Sequence, residues 1–227
     1  MVDAVRRRRT RIRVSKTPVV PAGEVFGDLY RRNVWGGHTG ELYSGGGSDR
    51  RFRDPYRALI LEFIEPGDRV VDLGCGDFRV GRELISAAFT YIGVDVVPGL
   101  IAHNHQAFGA DTVGFLCLDV VEDELPAGQI CLVRQVLQHL ANDQIQAVLR
   151  KLNAYRDVFV TEQQPVDPDV PANLDKRQGG DTRIPHSAVY LDRPPFSIDG
   201  LELVLSLPYD EWTELRTFRI RPIVGGP

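Results

Sequence analysis

The run Val70-Val-Asp-Leu-Gly-Cys-Gly-Asp-Phe78 constrains this chain more than any other segment. β-Branched residues followed by closely spaced glycines describe a buried strand that breaks into a sharp turn. Gly74 and Gly76 can take positive φ and let another group approach the backbone. Downstream, apolar patterns alternate in type. Arg69–Leu73, Tyr91–Asp95, Val113–Asp119, Ile130–Arg134 and Val158–Thr161 read as strands, with helices over Val80–Phe89, Pro98 to about Phe108, and Asp143–Ala154. Such alternation predicts right-handed βαβ units. The expected class is therefore α/β, a Rossmann-like, doubly wound sheet that is mostly parallel. Glu202–Leu207 and Glu214–Arg221 are spaced to pair antiparallel at its C-terminal edge, and Glu24–Arg32 and Arg53–Glu65 predict N-terminal helices.

The domain organisation expected is a basic leader over residues 1–22 and one domain over 23–227. Within that domain, 23–66 forms a helical, glycine-rich lid, and 163–196, rich in Pro, Asp and Gly, forms a substrate loop too long for a neutral connection. Charge divides along the same line. Residues 1–20 carry about +6 and the remainder −10. A basic tail on an acidic body can reach nucleic acid, but no aromatic residue interleaves with the arginines to stack on bases, and the acidic body would repel phosphates. Nucleic acid is not the expected partner. The longest apolar run, Ala58–Ile64, contains Glu62 and is too short to span a bilayer, so no membrane insertion is expected. The widely spaced Cys75, Cys117 and Cys131, each at a strand or strand end, suggest reduced, buried thiols and a cytoplasmic protein. The oligomeric state is left open, a homodimer included.

Three predicted strands end in acids: Asp72 shortly before the glycine turn, Asp95 on the second, and Asp119 on the third. One strand-terminal Asp is often only a cap for the next helix. Three in succession match the rule that ligands bind beyond the carboxyl ends of parallel strands at the switch point. An acid at Asp95 can accept from both hydroxyls of a ribose, and one at Asp119 from an adenine amine. A dinucleotide dehydrogenase would need a third glycine where Arg79 stands, and it usually lacks an acid at the position of Asp72.

These features resemble the class I S-adenosylmethionine-dependent methyltransferases over roughly residues 50–221, although the family's frequent third glycine is Phe78 here. More narrowly, Trp35-Gly-Gly, Tyr43-Ser-Gly-x-Gly-Ser48, Cys-Gly-Asp-Phe78 and Arg134-x-Val-Leu-x-His-Leu140 resemble a group of small bacterial methyltransferases. Several of that group are associated with polysaccharide or glycan biosynthesis. A fainter resemblance is to sugar 1-O-methyltransferases acting on methylmannose oligosaccharides. The resemblance implies S-adenosyl-L-methionine as cofactor, S-adenosyl-L-homocysteine as product, and a sugar or oligosaccharide acceptor; the alternatives are a nucleic-acid methyltransferase guided by the arginine-rich N-terminus and a non-catalytic cofactor-binding module. The candidate cofactor residues are Asp72, Gly74, Cys75, Gly76, Asp95, Val96, Asp119, Val120, Arg134 and Gln135, with Trp35 and Ser44 reaching in from the lid.

A sugar hydroxyl barely ionises at neutral pH, so O-methylation gains from a general base. His139, just past the fourth strand, is the candidate; the alternative is that it caps the following helix or packs in the core. Arg134 is placed beside it as a catalytic or cofactor-carboxylate contact, or as a plain salt-bridge partner. The chain lacks the Asn/Asp-Pro-Pro-Tyr/Phe of amino methyltransferases and the Pro-Cys of cytosine-C5 enzymes. A metal-binding Asp of the catechol type is replaced by Arg134. Tyr43, Asn173, Asp175, Arg183 and Tyr190 are candidate acceptor contacts. Asp167, Asp169 and Asp175 leave a divalent cation open, with no assigned metal ligand.

Overall fold

The computed structural model describes residues 20–38, 41–86 and 88–221. The arginine-rich tail, and with it the leader up to residue 19, lies outside the described residues. The elements in chain order are α1 (Ala22–Arg31), α2 (Arg50–Leu61), β1 (Arg69–Leu73), β2 (Thr90–Asp95), α3 (Pro98–Phe108), β3 (Val113–Cys117), β4 (Ile130–Arg134), α4 (Asn142–Leu152), β5 (Asp157–Pro165), β6 (Glu202–Pro208) and β7 (Thr213–Ile220). The strands form one seven-stranded sheet in the order β3-β2-β1-β4-β5-β7-β6. Neighbours from β3 to β5 pair parallel, while β7 runs antiparallel to β5 and β6 antiparallel to β7. The expected Rossmann-like sheet with an antiparallel C-terminal edge is thus observed, and its order reverses between β1 and β4.

Period-two alternation sorts the core. Val71, Leu73, Cys131, Val133, Val158 and Val160 face α4 and the 189–196 segment. Val70, Tyr91, Ile130, Leu132 and Phe159 face α2 and an aromatic cluster around Phe78. Successive residues of a strand point to opposite faces, so runs such as Val70-Val71 and Ile130-Cys131 serve both layers. Each large side chain so buried contributes about 1.5–3 kcal/mol.

The structure corrects several expectations. The described residues of Val80–Phe89 form no α-helix; they hold a 3₁₀ turn at Gly81–Glu83. A Cβ at Gly81 would lie about 2.2 Å from the Tyr91 hydroxyl and 2.5 Å from the Phe78 ring. The backbone at Gly81 is packed against this aromatic pair, and glycine favours helix least after proline. α2 begins at Arg50 rather than Arg53, because the Asp49 carbonyl accepts from the N–H groups of Phe52 and Arg53. Pro55 then sits within the helix and removes one N–H without ending it. β3 stops at Cys117, two residues before Asp119. Cys117 is exposed, so only Cys75 and Cys131 are the buried thiols expected.

The long segment after β5 builds core. Its Ala188, Val189, Tyr190, Leu191 and Phe196 are buried. Asn173 organises it from a positive φ of 56°, which Asn tolerates better than most residues. Its side-chain amide donates to the carbonyls of Tyr190 (2.8 Å), Arg193 (3.2 Å) and Pro194 (2.9 Å), and its oxygen accepts from the Tyr190 N–H at 2.8 Å. Asn173→Ala leaves these groups unpaired in a buried place. We expect a loss of about 2–4 kcal/mol of stability, read from denaturant midpoints.

Candidate active site

One cleft, enclosing about 1070 Å³ with its open mouth, lies across the carboxyl ends of β1, β2 and β4. The strand tips deliver Asp72 and Asp95, and the loop after β3 delivers Asp119. The turn after β1 takes φ of 72° at Gly74 and 55° at Gly76. This left-handed conformation turns the Gly76 N–H onto Asp95 Oδ2 at 3.1 Å, while Asp95 Oδ1 accepts from the Val97 N–H at 3.0 Å. Asp95 is thereby fixed, with lone pairs left for a ligand. Asp72 accepts from the Tyr91 hydroxyl.

Burial pushes both carboxyls up to about 6: Asp72 against the lowering effect of the Tyr91 bond and the Arg134 charge, Asp95 against that of backbone N–H groups. The Asp119 loop is held from α4: Lys151 Nζ donates to the carbonyls of Val120 (3.0 Å), Val121 (2.7 Å) and Asp123 (2.7 Å).

The glycine-rich segment before α2 docks on the same turn. Ser44 N–H donates to Asp77 Oδ2 at 3.1 Å, and Asp77 N–H returns a bond to Ser44 Oγ at 2.8 Å. Tyr30, from α1, meets Ser44 Oγ at 2.8 Å. A wall of Phe26, Tyr30 and Trp35 follows, with ring centroids of Trp35 and Tyr30 5.0 Å apart, and of Trp35 and His139 5.7 Å apart.

His139 ends a 3₁₀ turn, Leu137–His139, after β4. It does not cap α4; its Nδ1 lies 3.1 Å from the Gly179 carbonyl, which makes Nδ1 the protonated nitrogen and leaves the lone pair on Nε2. Burial lowers its pKa to about 4, with the Gly179 carbonyl acting in the opposite sense. The ring is neutral at pH 7. Arg134 packs its guanidinium 5.3 Å from the centroid of the Tyr56 ring and donates to the Gly47 carbonyl, while its buried Nε has no protein partner.

Trp35, Ser44, Asp72, Gly74, Cys75 and Gly76 all line this cleft, as do Asp95, Val96, Asp119, Val120, Arg134, Gln135 and His139. The predicted acceptor contacts do not. Asn173 and buried Tyr190 are committed to the loop described above. Arg183 is 6% exposed and donates to main-chain carbonyls. Asp175 accepts from the Asn142 N–H at the start of α4, and Tyr43 donates to Asp49. Their polar atoms stabilise loops because a long coil must satisfy its own backbone when it is packed on a core. Asp167, Asp169 and Asp175 are not brought together: no cluster of three or more metal-ligating side chains occurs among the described residues. Nor, among these residues, is any helix long and apolar enough to cross a membrane.

Sequence reasoning missed Phe26, Tyr30, Tyr56, Asp77 and Gln178, which also line the cleft. For Phe26 and Tyr30 a signal existed, since i,i+4 aromatics share a helix face. Asp77 stood next to the glycine pair and was passed over.

Residues 70–155 match the family model described as a methyltransferase domain. No curated protein matches this sequence. Among solved structures it is similar to N-methyltransferase NodS from Bradyrhizobium japonicum WM9 in complex with S-adenosylhomocysteine (15% identity, 77% of this chain and 89% of that one, TM-score 0.55). Magnesium protoporphyrin IX methyltransferase ChlM from Synechocystis PCC 6803 is similar at 14% identity, covering 87% and 98%, TM-score 0.56. The [4+2]-cyclase SpnF shares the fold as well (18% identity, 71% and 69%, TM-score 0.50).

The cleft fits S-adenosylmethionine by its donor set. Fixed carboxylates suit ribose hydroxyls and an ammonium, and Val96, Leu118 and Val120 offer apolar surface beside Asp119. The raised carboxyls carry a testable consequence. Binding an ammonium or two hydroxyl donors draws on the ionised carboxylates, which dominate above pH 6 and protonate below it. Cofactor affinity, measured by calorimetry, is expected to fall about tenfold per pH unit per carboxylate below that point. An affinity constant from pH 7 to 4.5 would contradict it.

Proposed function

We propose that the protein is an S-adenosylmethionine-dependent O-methyltransferase acting on a hydroxyl of a sugar or oligosaccharide, with His139 Nε2 as proton acceptor. The observation that carries this reading is that strand-tip carboxylates and a neutral, oriented imidazole line one cleft. Bound cofactor supplies an electrophilic methyl on a sulfonium, and S-adenosylhomocysteine is the product left behind.

The chain's own residues do the rest. Asp95 holds the ribose hydroxyls and Asp72 the ammonium of the amino-acid part. Arg134, with its unpartnered Nε, supplies the positive charge for the carboxylate. The Gly179 carbonyl keeps the His139 proton on Nδ1, so that Nε2 takes the acceptor's proton as the new C–O bond forms and the S–C bond breaks. Phe26 and Trp35 present ring faces to the C–H face of a sugar, and Gln135, Gln178 and Ser48 supply polar contacts along the same wall. Water exclusion by this aromatic wall favours transfer over side reactions.

The test is methyl-labelled S-adenosylmethionine offered with a panel of mono- and oligosaccharides, the products being identified by mass and NMR. A labelled methyl ether is expected. Transfer only to amines, or none despite cofactor binding, would sink the reading. Removing residues 1–16 is expected to leave acceptor KM and its salt dependence unchanged; a marked loss would favour a polyanionic acceptor instead.

A further inference from the structure

We infer that Glu162 and Arg183 are a pair of positioning residues that grip the His139-bearing turn from its two ends and hold the imidazole in register with the cleft. The inference rests on the reading of His139 as proton acceptor, and it reaches two residues that do not touch the cleft.

The Leu137–His139 turn is too short to satisfy its own main chain, so its first N–H groups and last carbonyls need outside partners. Glu162, on β5 beneath it, supplies the first set: Oε1 accepts from the Leu137 N–H at 2.9 Å and Oε2 from the Gln138 N–H at 3.3 Å. Arg183 supplies the second. Its Nη1 donates to the Leu137 and Gln138 carbonyls at 3.4 and 3.3 Å, and Nη2 to the Leu140 carbonyl at 2.8 Å. Acceptor oxygens at the start and a guanidinium at the end also match the polarity of the turn. The two side chains are 2% and 6% exposed. Burying polar side chains this deeply is costly unless they are well bonded, as both are here.

The same guanidinium fastens the loop that orients the ring. Arg183 Nε donates to the Leu174 carbonyl at 3.0 Å, close to where Lys176 Nζ and the Gly179 N–H both reach the His139 carbonyl, at 3.3 and 3.0 Å. The stretch that carries Gly179 is therefore tied to the turn at two places, at Leu174 through Arg183 and at the His139 carbonyl through Lys176 and the Gly179 N–H. Backbone and ring are located together. Burial also pushes the Glu162 carboxyl up to about 8, against the pull of the turn's N–H groups and Arg183.

Glu162→Gln and Arg183→Lys test this in the full chain, each with S-adenosylhomocysteine bound and the histidine rings labelled with ¹⁵N. The expected result is a displaced pair of His139 ring resonances, loss of the single Nδ1–H pattern, and cofactor affinity within about twofold of the parent. With the labelled cofactor and the saccharide panel, kcat is expected to fall about 10–100-fold with acceptor KM little changed, because a misplacement of about 1 Å can cost 10²-fold. Ring resonances unmoved in both variants would overturn the grip. Displaced resonances with unchanged kcat would support it and instead remove His139 from the chemistry. If one variant fails to fold, the other asks the same question from the opposite end of the turn.

Discussion

Replacing His139 with alanine is expected to lower kcat by about 10²–10⁴-fold while S-adenosylhomocysteine binds as before. The ring stands at the end of the turn after β4, with Nδ1 committed to Gly179 and Nε2 left as the lone-pair nitrogen. Its pKa near 4 makes it a weak base, but one that is never lost to protonation in the working range. His139→Gln keeps polarity and volume but accepts no proton at pH 7, so it is expected to fall with alanine. The check is single-turnover transfer of a labelled methyl at saturating cofactor. Near-parental rates in both variants would remove His139 as base while leaving the cofactor assignment intact.

Replacing Asp95 with alanine is expected to weaken cofactor binding by about 100-fold or more. A hydrogen bond to a charged group is worth about 1.5–3 kcal/mol, and a ribose offers two hydroxyls to this carboxylate. Part of the loss comes from the turn itself, since Gly76 and Val97 would lose the oxygens that receive their N–H groups. Asp95→Asn keeps one such oxygen and is expected to fall between alanine and the parent. Titration with 5′-methylthioadenosine separates the causes. It carries the ribose but no amino-acid part, so it is expected to lose affinity at Asp95 and to be indifferent to Asp72→Asn. Equal binding of the cofactor by the parent and Asp95→Ala would refute the cradle.

The cradle was legible because its requirements are local. A strand must break where Gly74 stands, and an acid at a strand tip has few places to go. The helix over Ala22–Arg31 was legible through spacing, because burying one stripe demands an apolar period near 3.6, and the one over Pro98–Phe108 through the alternation of strand and helix along the chain. The Val80–Phe89 stretch misled for the same reason. It has the stripe, but Phe78, Tyr91 and Phe115 fill the volume beside it. That competition involves residues up to 37 positions apart and has no local trace.

The segment after β5 failed differently. Its Asn173, Asp175, Arg183 and Tyr190 are the residue types that hold sugars, and they are equally the types that satisfy a coil's own backbone. Only the tertiary arrangement distinguishes the two uses, by showing which polar atoms are already spent. Along the sequence alone, then, period-two and 3.6-residue patterning determined the layered α/β sheet, and the glycine-and-acid run determined where its ligand end lies. Folding in three dimensions decided what stands opposite the acids: an aromatic wall from α1, and a histidine whose tautomer is set by a carbonyl 40 residues away. Local propensity reads neighbours, whereas a site's electrostatics and burial depend on chain segments that meet only when the whole core is packed.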